Sequence, residues 1–134
     1  MGLPLLKEHE AKLSWLSDDA RKVIAEHDIK VYALPHHYES KCGFMCCGKT
    51  KAGNTYIAMF QTDILQAKLT YAETECMIWH ELGHILHDMT EIEADYFAMA
   101  HTSYEVWKST IQKAFKVRSG TITSHYKHRW AALQ

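Results

Sequence analysis

Prolines are scarce in this chain, two in 134 residues, and glycines number only six. Nothing in it resembles a Gly- or Pro-rich linker, a low-complexity segment or an internal repeat. An excess of one charge is missing too. The net charge is −1 with a pI near 6.8, which removes the electrostatic case for a nucleic-acid or membrane-surface partner. No apolar run approaches the roughly 20 residues that span a bilayer. The first eight residues, Met1 to Glu8, become charged too early for a secretory signal. Lys7 stands where a myristoylation signal at Gly2 would want Ser or Thr. The expected location is the cytoplasm.

Cysteine is sparse, and the four present are Cys42, Cys46, Cys47 and Cys76. Without a signal peptide they are expected as free thiols. Their spacing lacks the C-x-x-C pairs of a zinc knuckle, so the expectation is packing within strands. The remaining composition, 47% apolar and 23% charged, is that of an ordinary globular chain, and its length suits one domain over residues 1–134.

Periodicity gives a coarse layout. Between Lys7 and His27 the apolar positions Leu13, Leu16, Ala20, Val23 and Ile24 predict one helix or two short ones, with Ser17 an N-cap for the second. Ile29 to Ala33 alternates and reads as a strand closed by Pro35. Phe44 to Cys47 and Thr55 to Phe60 are β-type runs around the polar turn Gly48 to Asn54, which predicts a hairpin. Thr70-Tyr71-Ala72-Glu73 has the form of a capping box, and so has Thr90-Glu91-Ile92-Glu93. Each starts a helix, with Asp88-Met89-Thr90 the turn between them. Further helices are expected over Tyr104 to Val117 and from about Thr123 or Ser124. The fold class is α+β, a small antiparallel sheet packed against several helices.

Against this background one segment stands out, His80-Glu81-Leu82-Gly83-His84. Histidines four apart project from one helical face, so their ring nitrogens can share a metal. A glutamate beside the first histidine is then placed to take a proton from water at the metal's open position. With ten histidines and ten glutamates, shuffling this composition yields the pattern about once in twenty. Context argues against chance. The motif follows a capping box, and Cys76, Met77, Ile78, Leu82, Ile85 and Leu86 give its helix a buried side. The bland alternative is two surface histidines on an amphipathic helix.

A catalytic zinc takes three protein ligands, and the first acidic cluster after His84 is Glu91-Ile92-Glu93-Ala94-Asp95. Glu91 is the choice for the third ligand. Asp95, one turn on and on the same face, is expected to hold a ligating histidine by its outer N–H. The gap is short, however. In a strict antiparallel helix hairpin Glu91 would fall a turn below the metal and Asp95 would lie closer, whereas steeply crossed helices favour Glu91. Glu93 points elsewhere and suits a structural bond. His87 is a flanking residue, because a three-histidine pattern would place its last histidine where Thr90 stands.

His80-Glu81-Leu82-Gly83-His84-Ile85-Leu86-His87, followed by Glu91-x-Glu93-Ala94-Asp95-x-Phe97-Ala98, resembles the ImmA/IrrE family of zinc metallopeptidases. The likeness is firm over Thr70 to Ala98 and weaker upstream to Ile29. Its E-x-x-A-D register is similar to that of other glutamate-zincins, which supports Glu91 over Asp95. The resemblance implies a small gluzincin-like domain with the H-E-x-x-H motif on a central helix. It also implies zinc on His80, His84 and Glu91, with Glu81 as general base. The implied substrate is a helix-turn-helix repressor, cleaved to relieve repression, in a phage or mobile element. The chain departs from the pattern after Ala98, where Met99-Ala100-His101-Thr102 replaces a Leu-Leu-Met-Pro-like segment. It carries no helix-turn-helix module, so any effect on DNA would pass through a partner.

Peptide hydrolysis at such a site normally uses a second electrophile on the oxyanion. His101, Tyr96, Tyr104, His125, Tyr126 and His128 are candidates. Two rival readings share the same residues: a zinc-holding protein that binds a partner without cutting it, and a hydrolase of non-peptide amides. The basic, aromatic run Ser124 to Trp130 is too short for a nucleic-acid face, and it reads instead as a terminal helix that packs Trp130 onto the body.

Overall fold

A computed structural model of the chain describes residues 3, 5–35, 44–117 and 121–133, with the backbone alone for 121–126. Cys42 and the side chains of His125 and Tyr126 lie outside the described residues. After a 3-10 turn at Lys7–His9 come helix α1 (Asp18–Glu26), strands β1 (Lys30–Leu34), β2 (Met45–Lys49) and β3 (Thr55–Phe60), and helices α2 (Gln61–Ala67), α3 (Tyr71–His87), α4 (Glu91–His101), α5 (Tyr104–Val117) and α6 (Thr121–Ala132). The class is α+β, as expected. Among the described residues no helix is long and apolar enough to cross a membrane.

The sheet is mixed rather than wholly antiparallel, with strand order β1-β3-β2. β2 and β3 form the expected hairpin, in register from Met45 opposite Met59 to Lys49 opposite Thr55. Gly53 closes the turn in a left-handed conformation, φ +86°. β1 pairs with the other edge of β3 in parallel, Lys30 opposite Tyr56 through Leu34 opposite Phe60. The reason lies in β3, whose last four residues, Ile57, Ala58, Met59 and Phe60, are all buried. A strand buried on both faces is a central strand and needs a partner on each side. No tight turn joins β1 to its neighbour, so nothing local compels antiparallel pairing.

Local chemistry sets the helix starts. Ser17 Oγ accepts from the Ala20 N–H at 3.2 Å, and the same residue donates through N–H and hydroxyl to Glu75 at 2.8 and 2.7 Å. That ties the first turn of α1 to α3. Both expected capping boxes are present: Thr70 with Glu73, and Thr90 with Glu93. α3 ends at Asp88 in a left-handed conformation, φ 49°, which aspartate tolerates better than most residues. α2 is an element the periodicity did not suggest. It continues from β3 without a break, begins at Phe60 with no side-chain cap, and stops at Lys68, φ 56°.

α3 is the central helix. Cys76, Ile78, Trp79 and Leu82 are buried, while Met77, Ile85 and Leu86 pack partly buried around the same core. That core also takes Leu16, Ala20 and Ile24 from α1, Ile57 and Met59 from β3, and Trp107, Ile111 and Ala114 from α5. Trp107 stacks on Trp130 at 5.8 Å between ring centres, so the terminal helix packs onto the body as expected.

The Thr70 cap also serves tertiary structure, because buried Glu73 accepts from Lys113 Nζ at 2.6 Å and from the Ser109 hydroxyl, both on α5. Burial opposes ionisation, yet Lys113, Ser109 and the Thr70 N–H together hold the Glu73 carboxyl below its ordinary range. A depressed folded-state pKa stabilises the fold above the unfolded value of about 4.3, and that contribution is lost as pH falls through the folded-state pKa. Glu73→Gln is therefore expected to cost about 1–2 kcal/mol at pH 7, given a partly exposed lysine. The difference should shrink below about pH 4. Thermal melts of both proteins at pH 7 and pH 3.5 check this, and an equal gap at the two values would contradict it.

Candidate metal centre

Three electron-pair donors from two helices converge. His80 Nε2 and His84 Nε2 lie 3.0 Å apart. Glu91 Oε1 is 3.4 Å from the first and 2.6 Å from the second. A tetrahedron with bonds of about 2.0–2.1 Å has edges of roughly 3.3 Å, so the observed separations bracket those of a zinc ligand set. α3 supplies the histidines at i and i+4, and α4 supplies Glu91 as its first residue. The two helices approach closely at Gly83. A Cβ there would lie 3.1 Å from Met89 Sδ, 3.2 Å from Phe97 Cδ2 and 3.4 Å from Ala94 Cα. The glycine inside the motif lets α4 bring Glu91 up to the histidines despite the short connection.

The second nitrogen of each ring fixes which nitrogen is free. His84 Nδ1 lies 2.7 Å from the Met89 carbonyl oxygen, which only accepts, so Nδ1 carries the hydrogen. His80 Nδ1 lies 2.9 Å from Asp95 Oδ1. Burial opposes the Asp95 charge, but His80 and Arg129 hold its carboxyl down to about 2. Asp95 is then an acceptor as well, and His80 donates from Nδ1. In the neutral rings both Nε2 lone pairs face the Glu91 oxygen with no hydrogen among them. Such a cluster attracts a cation, whether proton or metal. The bond to Glu91, ahead of all other causes, raises the His84 pKa to about 9.

Glu81 is buried. Burial first, with the Glu91 charge adding to it, pushes its carboxyl above the usual carboxylate range against the pull of His80 and His84. That direction suits a general base operating near neutrality. Exposure is graded across the site: the His80 side chain is 9% exposed, His84 23% and Glu91 39%. One side therefore opens to solvent, as a catalytic site requires.

His80, His84 and Glu91 come together in a group that could hold a metal ion, and Asp95 stands behind His80 as an acceptor on the ring's other nitrogen. Glu93 closes the Thr90 capping box. His87 is exposed, its ring edge-on to Phe97. Of the candidate electrophiles, His101 lies flat on Trp79 at 3.8 Å, Tyr104 packs against Trp107, and Tyr96 and His128 are exposed.

Two residues at the site escaped the sequence reading. Cys47, expected only to pack within its strand, lies on β2 beside Glu81; burial first and then the Glu81 charge push its thiol pKa up. Arg129 of α6 grips Asp95 through Nε at 2.8 Å and Nη2 at 2.5 Å. Cys47 lies 34 residues before Glu81 in the chain, and Arg129 lies 34 after Asp95. No spacing rule spans such separations. The nearest signal for Arg129 was its neighbour Trp130, whose inward packing carries the arginine along. Cys46, Cys47 and Cys76 are thiols outside any disulfide.

No protein-family model matches the chain, and no curated protein or solved structure matches it either.

Proposed function

We propose that this chain is a zinc-dependent metallopeptidase of the ImmA/IrrE type, acting in the cytoplasm on a helix-turn-helix repressor of a phage or mobile element. The observation that carries the proposal is the convergence of His80 Nε2, His84 Nε2 and Glu91 Oε1 with both Nδ1 atoms already bonded to acceptors. Zinc, if held by these three residues, would supply an acidified water and a Lewis acid for a substrate carbonyl.

The chain's own residues do the rest. Glu81 takes the proton of the attacking water and passes it to the leaving amine nitrogen, which restores the carboxylate for the next turn. Burial favours its protonated form and so eases the uptake step. Asp95 keeps the hydrogen of His80 on Nδ1, and the Met89 carbonyl does the same for His84.

The competing reading is a zinc-holding regulator that binds its partner without cutting it. Incubating the zinc-loaded protein with a candidate helix-turn-helix repressor separates the two. Two repressor fragments in the mass spectrum, absent after chelation, support the peptidase. An intact repressor in a stable complex supports the binding protein.

A further inference from the structure

We infer that Arg129 on the terminal helix is a positioning residue for the metal ligands, completing a centre that α3 and α4 begin. The inference rests on the zinc reading above. The Arg129 side chain is only 10% exposed, and a charge removed from water to that degree needs partners. Its guanidinium forks onto Asp95, Nε to Oδ2 and Nη2 to Oδ1, the two-pronged geometry in which arginine surpasses lysine. Nη2 also passes 3.4 Å from His80 Nδ1, and Nη1 lies 3.8 Å from Glu91 Oε2.

Arg129 therefore bears on two of the three ligands at once. Behind His80 its fork holds Asp95 in place, so that the ring donates from Nδ1 and presents Nε2. On Glu91 its charge draws Oε2 to one side, leaving Oε1 turned to both histidines. Three carboxylates, Glu81, Glu91 and Asp95, share this small volume, and the guanidinium offsets part of their repulsion. The Trp130–Trp107 stack, next along the chain, seats the helix that delivers it. Metal affinity and the docking of α6 are thus coupled, although α6 contributes no ligand.

The test is zinc affinity, measured by competition with a chromophoric chelator, together with the visible spectrum of the cobalt(II)-loaded protein. Arg129→Met should bind zinc about 10–100-fold more weakly, the usual effect of losing an outer-shell partner, and should shift the cobalt bands as Glu91 loses its hold. Arg129→Lys, which keeps the charge but not the fork, should fall between that variant and the parent. Lys127→Gln, an exposed change on the same helix, should match the parent. Unchanged affinity and an unchanged cobalt spectrum in Arg129→Met would overturn the inference. If that variant fails to fold, by circular dichroism of the metal-free protein, Arg129→Lys decides: parental affinity overturns the inference. A parent protein that takes up neither metal would instead overturn the zinc reading beneath it.

Discussion

Glu81→Gln is expected to keep its zinc and lose its turnover. The change is nearly isosteric and leaves His80, His84 and Glu91 in place, so metal content should stay at the parental level. A carboxamide cannot accept the proton of the attacking water, and a positioned general base contributes roughly 10²–10⁴-fold. Hydrolysis of a peptide substrate should therefore fall by about 10³-fold, the middle of that range. The fold should not suffer, because burial disfavours the charged carboxylate in the first place; the variant should melt at or above the parental temperature. Full activity in Glu81→Gln would remove the peptidase mechanism, whatever the metal content.

The second large effect concerns His84→Ala. Zinc binding at a protein site is worth roughly 10–16 kcal/mol. Sharing about 12 kcal/mol among three ligands gives about 4 kcal/mol each, or roughly 10³-fold in affinity. His84→Ala should accordingly bind zinc at least about 10³-fold more weakly than the parent. His84 is tied through Nδ1 to the Met89 carbonyl and through Nε2 to Glu91, and its raised pKa stabilises the metal-free fold at pH 7, so its loss should also lower the melting temperature there, and by less above about pH 9. Competition titration and a thermal melt on the same sample check both halves. An affinity within tenfold of the parent would place the metal somewhere else.

The features legible in the sequence are those with local causes. A capping box needs only residues three apart, so Thr70 with Glu73 and Thr90 with Glu93 marked where α3 and α4 begin. The helical repeat then placed His80 beside His84, and Glu91 one turn from Asp95, before any tertiary contact was known. Register alone left Glu91 and Asp95 both within reach of the histidines, and the close approach at Gly83 is what brings Glu91 up to them across the short connection. The illegible features are those decided at long range. β1 joins β3 in parallel because a doubly buried central strand needs a second neighbour, a demand no residue of β1 announces. α2 lacks a cap and so lacks a start signal. Cys47 and Arg129 reach the site only through packing of the sheet edge and of α6, at separations where side-chain periodicity carries no information.

The same distinction explains why the candidate electrophiles could not be sorted in advance. His101 sits at the end of α4, and its ring is engaged in a flat stack on Trp79. Arg129, from a run that looked like a plain basic helix, is the cation that the fold brings beside Glu91. Composition suggested histidine and tyrosine for the role, whereas packing selected arginine for a different one, holding the ligands rather than the substrate.

Metal content per chain, by elemental mass spectrometry on protein purified without chelators or a histidine tag, tests the central claim most directly. The account predicts about one zinc per chain, removed by His80→Ala. Protein that holds no zinc, even after zinc is added back and the excess removed, would contradict it. The three converging donors would then be a proton-sharing cluster in a helical protein, and the hydrolase reading would be withdrawn.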